Sequence, residues 1–212
     1  PLLAQISCIT QCAKGNFGKL NEIQEEILTT TLESANYMKD MLYTLINTYK
    51  YDNGNIQLTK TKVNIEQLVK TCLKENSLLA EEQAINLEFK SNLSESDKNA
   101  YIDEKQIRRV VSNLLNNGIN YAFKDTKFDI TLTSKGDMIE ISLENTGPVM
   151  DEKTKEHLFE KYITGTNKYQ KVGFGLGMYL SKKIMEAHGG EISYIGKETL
   201  NKFILKIPKN LK

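Results

Sequence analysis

The chain predicts an α+β protein. A helical hairpin spans residues 1–55, and a sandwich with helices on one face of a mixed, mostly antiparallel sheet spans 56–212. Three observations predict it. Apolar residues recur at three- and four-residue steps through the first 52 residues. Short alternating segments and helical stripes then interleave to the end of the chain. Within that second part, Gly173, Gly175 and Gly177 alternate and give way abruptly to a helical pattern.

Composition sets the bounds. The 212 residues, 40% hydrophobic and 26% charged, suffice for one substantial core or two small ones. A net charge of +1 gives no argument for a nucleic-acid partner or a membrane surface. No apolar run reaches bilayer-spanning length, and no signal-peptide pattern opens the chain. Cys8, Cys12 and Cys72 lack metal-ligand spacing; Cys8 and Cys12, one helical turn apart, are expected as small buried residues in a reducing compartment. The start at Pro1, without an initiator Met, reads as an excised piece of something longer.

In the first part, Leu2, Leu3, Ile6, Ile9 and Ala13 form a stripe ending at the two-glycine loop Lys14–Lys19. A longer, near-heptad stripe follows: Leu28, Leu32, Ala35, Lys39, Leu42, Ile46 and Tyr49, flanked by Thr31, Met38 and Leu45. Its apolar face is too large for two helices alone, so pairing with a second copy into a four-helix bundle is expected. Tyr51–Asn55 is a turn. Asn64 is a good N-cap for a helix over Ile65–Glu75. Asn86–Phe89 and Tyr101–Asp103 read as short strands around a polar loop, before a helix from about Glu104 to Ala122. Phe128, Ile130 and Leu132 alternate opposite Ile139, Ile141 and Leu143 across the turn Ser134–Asp137, and Glu191–Ile195 with Lys202–Ile207 make a final hairpin.

Two stretches carry chemistry. A glycine-rich loop entering a helix leaves backbone N–H groups for phosphate, although such loops also occur as plain turns. The spacing of Gly173, Gly175 and Gly177 is not that of a dinucleotide fold. Upstream, the helix bearing Ile107, Val110, Val111, Leu114, Leu115 and Gly118 places Asn113, Asn117 and Asn120 within about 60° of arc beside that stripe. Three carboxamides lower helix propensity and gain nothing if merely solvated. A neutral Asn oxygen suits Mg²⁺ when a nucleotide brings the negative charge. The bland alternative is a polar rim on a surface helix.

Four segments resemble the sensor histidine kinases, in that family's order. Asn113–Tyr121 resembles their N box, Glu144–Pro148 the first glycine box, Leu158–Tyr162 the F box and Gly173–Met178 the second glycine box. The preceding hairpin resembles their dimerisation and histidine-phosphotransfer domain. The resemblance implies a sandwich of the histidine-kinase, gyrase and chaperone ATPase type, with ATP and Mg²⁺ as cofactors. It implies Asn117 as the Mg²⁺ ligand with Asn113 beside it, Tyr121 lining the nucleotide pocket, and Asn145 at the place of an adenine-recognising Asp. Gly147 would let the backbone approach the base. Gly173, Gly175 and Gly177, with Leu176 and Met178 in the same box, would close a lid over the phosphates, with Phe159 packed under it.

Departures from the pattern bear on activity. Asn145 accepts a hydrogen bond from an adenine amino group more weakly than a carboxylate would, by on the order of 1 kcal/mol. Val149 replaces a glycine, Asn120 stands where a Lys commonly reaches phosphate, and Thr164 where an Arg often follows. Lys161, Lys168 and Lys171 are the cations available to compensate. The family's phosphoacceptor His and adjacent acid would lie upstream of Pro1, so this fragment alone is expected not to autophosphorylate. His157 is expected at the surface, and His188 to be satisfied by local carbonyls at a helix end. The implied partners are a second copy and a response-regulator receiver domain, with this part cytoplasmic and its parent membrane-anchored. The first rival reading is a degenerate, non-catalytic relative serving as a dimeric binding module. A chaperone- or topoisomerase-type ATPase is disfavoured because Glu104 lies well before Asn113, and a serine-directed relative is disfavoured by the long hairpin.

Overall fold

A computed structural model of the protein describes residues 2–54, 57–163 and 175–210. The chain falls into two compact units, Pro1–Asn53 and Gly54–Lys212. No helix among the described residues is long and apolar enough to cross a membrane.

The first unit is two helices packed together, α1 (Leu2–Ala13) and α2 (Glu22–Asp52). Asn21 starts α2 with a capping box: its side chain accepts from the Gln24 N–H, and the Gln24 side chain accepts from the Asn21 N–H. Ala35 is buried, while Ile27, Leu42, Ile46 and Tyr49 stand exposed. The expectation for the cysteines fails here. Cys8 is exposed and Cys12 only half-buried, because α1 buries none of its residues fully; Cys72, in the second unit, is buried.

The second unit begins with β1 (Thr61–Asn64), which runs into α3 (Ile65–Glu82) and β2 (Ile85–Ser91). A single 3-10 turn, Glu95–Asp97, leads to β3 (Asn99–Ile102), antiparallel to β1. Then come α4 (Glu104–Tyr121), the hairpin β4 (Thr126–Lys135) and β5 (Met138–Thr146), α5 (Glu152–His157), α6 (Gly177–Ala187), and the hairpin β6 (Glu191–Lys197) and β7 (Leu200–Pro208). The main sheet has the order β2-β4-β5-β7-β6. β2 and β4 are parallel and the other neighbours antiparallel, which makes the sheet mixed and mostly antiparallel, as expected. The parallel pair requires a crossover, and the stretch containing α4 supplies it.

Strand alternation separates the two faces of the sheet. Phe128, Ile130 and Leu132 of β4, Ile139, Ile141 and Leu143 of β5, and Phe203, Leu205 and Ile207 of β7 are buried under the helices. Against them lie Ile107, Val110, Val111, Leu114 and Leu115 of α4, all fully buried. α4 also contacts α3 on one side and α6 on the other, so it is the centre of the helix layer. The opposite face carries an open polar groove of about 650 Å³ whose lining includes Glu88, Asp129, Glu140, Glu144 and Lys202.

Three helices and strands depart from the expectation: β1, α3 and the six-residue α5, which buries none of its residues. β1 was not foreseen, since only Val63 of its four residues is buried. α3 extends to Glu82 rather than ending near Glu75, because Asn76 is accommodated by donating its side-chain amide to the Cys72 carbonyl (2.8 Å), and Ala80 is buried beyond it. The Asn64 cap holds: its Oδ1 accepts from the Gln67 N–H at 3.0 Å.

Candidate functional site

The site is built where the flank of α4 meets the start of α6. Asp103 caps α4 by accepting from the Gln106 N–H (3.2 Å), and the buried stripe fixes the rotation of the helix. Asn113, Asn116 and Asn117 then lie half-buried on the flank, with Asn120 exposed further along and Tyr121 half-buried. Asn113 donates its Nδ2 to Ser181 Oγ (3.1 Å) and to Met178 Sδ (3.7 Å). Asn117 donates to the same sulfur at 3.4 Å. A thioether is a weak acceptor. Asn117 Oδ1 accepts no hydrogen bond among the described residues, and that leaves it available as an oxygen ligand.

The first turn of α6 approaches α4 closely because it begins with glycine. A Cβ on Gly177 would lie 2.9 Å from Asn113 Oδ1. Gly175 has φ +63, and a Cβ there would meet the Ile163 backbone N at 2.5 Å. Its carbonyl accepts from the Tyr162 N–H (3.0 Å), so the chain returns to the F-box segment just before α6 starts. Leu176 is buried and Met178 half-buried. Phe159 is half-buried, with the Lys182 ammonium 6.0 Å from its ring centre, and Lys161 lies 5.0 Å from the Tyr179 ring centre. The expected roles of Thr164, Lys168, Lys171 and Gly173 fall outside the described residues.

The second edge of the site is the end of β5. Asn145 is 3% exposed, and its Nδ2 is buried with no hydrogen-bond partner among the described residues. Beyond it, Gly147 passes so close to α4 that a Cβ would sit 2.3 Å from the Tyr121 carbonyl oxygen. The Gly147 N–H donates to the Thr199 carbonyl (2.7 Å). Asn201 on β7 donates to the Pro148 carbonyl (3.3 Å) while accepting from the Tyr194 hydroxyl (2.5 Å). Burial pushes the Tyr194 phenol above its usual pKa, so it remains a donor.

Ser181, Tyr194 and Asn201 were not singled out from the sequence. Asn201 was readable, since it is the one polar residue at 201, 203, 205 and 207, the buried row of β7. Ser181, one polar residue in an amphipathic helix, carried no such signal.

The two histidines lie apart from this chemistry. His188 is buried; its Nδ1–H donates to the Ile184 carbonyl (2.7 Å) and its Nε2 accepts from the Asp103 N–H (3.0 Å). Those partners select the neutral ring, and burial lowers its pKa. His157 pairs with Glu160 at 2.9 Å, which raises its pKa. Among the described residues no group of three or more His, Cys, Asp or Glu could hold a metal. The amide oxygen of Asn117 suits a hard cation that brings further oxygen ligands with it.

Helices layered on one face of a mixed sheet, with an Asn-bearing helix facing a glycine-started helix, define an α+β sandwich. Residues 102–211, more than half of the chain, match the family described as histidine kinase-, DNA gyrase B-, and HSP90-like ATPase, and the chain belongs to that family. Its relatives are named as sensor kinases. The adaptive-response sensory kinase SasA of Gloeothece citriformis is 25% identical over 82% of this chain and 44% of its own length. Sensor histidine kinase YvrG of Bacillus subtilis is 27% identical over 76% and 27%. The chain thus spans less than half the length of either relative. Among solved structures, the catalytic domain of histidine kinase ThkA superposes with a TM-score of 0.64 at 27% identity, covering 73% of this chain and 97% of that one. Full-length ShkA in complex with AMPPNP shares the fold, with a TM-score of 0.76 at 19% identity over 97% of this chain and 43% of that one.

Proposed function

We propose that this chain is the cytoplasmic catalytic portion of a membrane-anchored sensor histidine kinase. It binds Mg²⁺–ATP and transfers the γ-phosphoryl group to a histidine imidazole, from which a response-regulator Asp receives it. The observation that carries this reading is the pairing of Asn113 and Asn117 with the glycine-started turn of α6. In that pairing a cation ligand faces a helix N-terminus that can receive phosphate. Asn117 holds the metal through Oδ1, Asn113 fixes the neighbouring turn through Ser181, and Tyr121, Asn145 and Gly147 enclose the base. Mg²⁺, when bound, supplies neutralisation of phosphate charge. The chain's contribution is positioning, which dominates phosphoryl transfer. Gly175, Leu176, Gly177 and Met178 complete the phosphate end.

His188 is not suited to receive the phosphoryl group, because both of its ring nitrogens are engaged. His157 lies on α5, apart from the Asn-bearing flank and the start of α6, in a surface pair with Glu160. On this reading the acceptor is supplied from outside these residues, and this chain alone does not autophosphorylate. The exposed apolar face of α2 pairs with a second copy, and the hairpin receives the receiver domain.

Calorimetric titration with ATP and ADP, with and without Mg²⁺, tests the reading beside Asn117→Ala. Mg²⁺-dependent binding that the substitution abolishes is expected. No binding at millimolar nucleotide would overturn the kinase reading in favour of a dimeric module with a silent nucleotide fold.

A further inference from the structure

We infer that Asn145 reads the base of the bound nucleotide through both halves of its carboxamide, so that this site takes guanine nucleotides about as readily as adenine nucleotides. The inference rests on the nucleotide-binding reading above and deepens it, because it concerns which nucleotide.

Asn145 is an exception twice over. It continues the buried row Ile139, Ile141 and Leu143 on the helix-facing side of β5, where the pattern calls for an apolar side chain. The other buried polar side chains of this unit are partnered: Asn76 to the Cys72 carbonyl, Ser181 to Asn113, His188 to Ile184 and Asp103, and Asn201 to Tyr194 and Pro148. Asn145 alone among them presents a buried N–H donor without an acceptor among the described residues. A buried polar group left in this state points to a ligand that completes it.

The surroundings are built for a fixed approach. Gly147 lies against the Tyr121 carbonyl, its N–H is held by Thr199, and Asn201 anchors the Pro148 carbonyl. The backbone beside Asn145 is thus tied to both α4 and β7.

A carboxamide offers one acceptor and one donor side by side in a plane. Against adenine, Oδ1 accepts from the N6 amino group and Nδ2 donates to N1. Against guanine in the same seat, rotation of the amide about χ2 lets Nδ2 donate to O6 while Oδ1 accepts from N1–H. That rotation is broadly two-fold, and Nδ2 has no partner among the described residues to oppose it. A carboxylate at this place has no donor. It pairs with an adenine amino group and repels guanine O6, as sites built around one hydrogen-bonding pattern reject the other.

The experiment is competitive binding of ADP and GDP to the full chain with Mg²⁺, repeated on Asn145→Asp with folding checked by thermal melting. The unaltered chain is expected to bind the two within about fivefold. Asn145→Asp is expected to prefer ADP by about tenfold or more, mainly by losing GDP. A preference for ADP beyond about fivefold in the unaltered chain overturns the inference while leaving the nucleotide-binding reading intact, and it needs no variant to be folded. Binding of neither nucleotide overturns both.

Discussion

In the sheet unit, Leu114, Leu115, Ile130, Leu132 and Ile141 are 0% exposed, whereas in the hairpin Leu42, Ile46 and Tyr49 stand 48%, 54% and 69% exposed. The residue types are similar; the geometry available to cover them is not. α4 is flanked by helices on both sides and backed by a five-stranded sheet. Among the described residues of its unit, α2, at 31 residues, has only the 12-residue α1 against it, roughly 46 Å against 18 Å of helix. The sheet unit closes its own core, while the hairpin leaves a contiguous stripe that only another molecule or segment can cover. Stability of the first is a property of the chain, and that of the second depends on what it meets.

The largest test of this contrast is one substitution made in both places. Leu114→Ala should destabilise the sheet unit by about 3 kcal/mol at any protein concentration, through lost burial and a residual cavity. Leu42→Ala should leave unfolding of the sheet unit unchanged and instead weaken self-association of the chain, visible by sedimentation over a dilution series. Equal, concentration-independent melting shifts from both would break the comparison.

The same contrast governs what could be read before the structure. Periodicity reported the stripe of α4, the alternation of β4 and β5, and the near-heptad pattern of α2, because each reflects a face buried over many residues. It missed β1, which buries only Val63, and α5, six residues with none buried. The parallel pairing of β2 with β4 depends on a partner some forty residues away and leaves no local trace. At the site, the Asn-bearing flank and the glycine run were legible because both break local propensity. Ser181 and Tyr194 were not, since their significance comes only from the residues they meet.

A smaller effect separates two helix caps of similar chemistry. Asp103→Ala should cost about 1–2 kcal/mol, because Asp103 both caps α4 through Gln106 and accepts from the Thr59 N–H (3.1 Å). Asn21→Ala, in the exposed capping box of α2, should cost about 0.5–1 kcal/mol. Urea denaturation of the full chain compares them directly. An Asn21 variant as damaging as the Asp103 variant would mean that α2 is more cooperative with its surroundings than its exposure implies.

The weakest expected signal is a slope rather than a step, and it belongs to the sheet unit because both histidines lie there. His188 is neutral in the fold. Burial lowers its pKa first of all, the Ile184 carbonyl opposes that, and Lys60 and Asp103 act in opposite directions. Below the ordinary value of 6.5 the unfolded chain binds the extra proton and the folded one resists it. Stability is therefore full above 6.5 and falls as pH drops from there toward the lowered folded value. His157 has the opposite sign: Glu160 raises its pKa, so its contribution is present below 6.5 and fades as pH rises through the raised value. That pair is exposed and solvent-screened, so the His188 slope prevails. Protonation would place a second N–H against the Asp103 N–H, disturbing the residue that caps the Asn-bearing helix. Urea titrations from about pH 7.5 to 5.5 should show declining stability, and His188→Gln should flatten that decline. A decline that survives in the variant would locate the acid sensitivity in carboxylates instead. Glu66, held near 2 by Lys70 and Lys98, titrates well below this window and would be distinguished by extending the series downward.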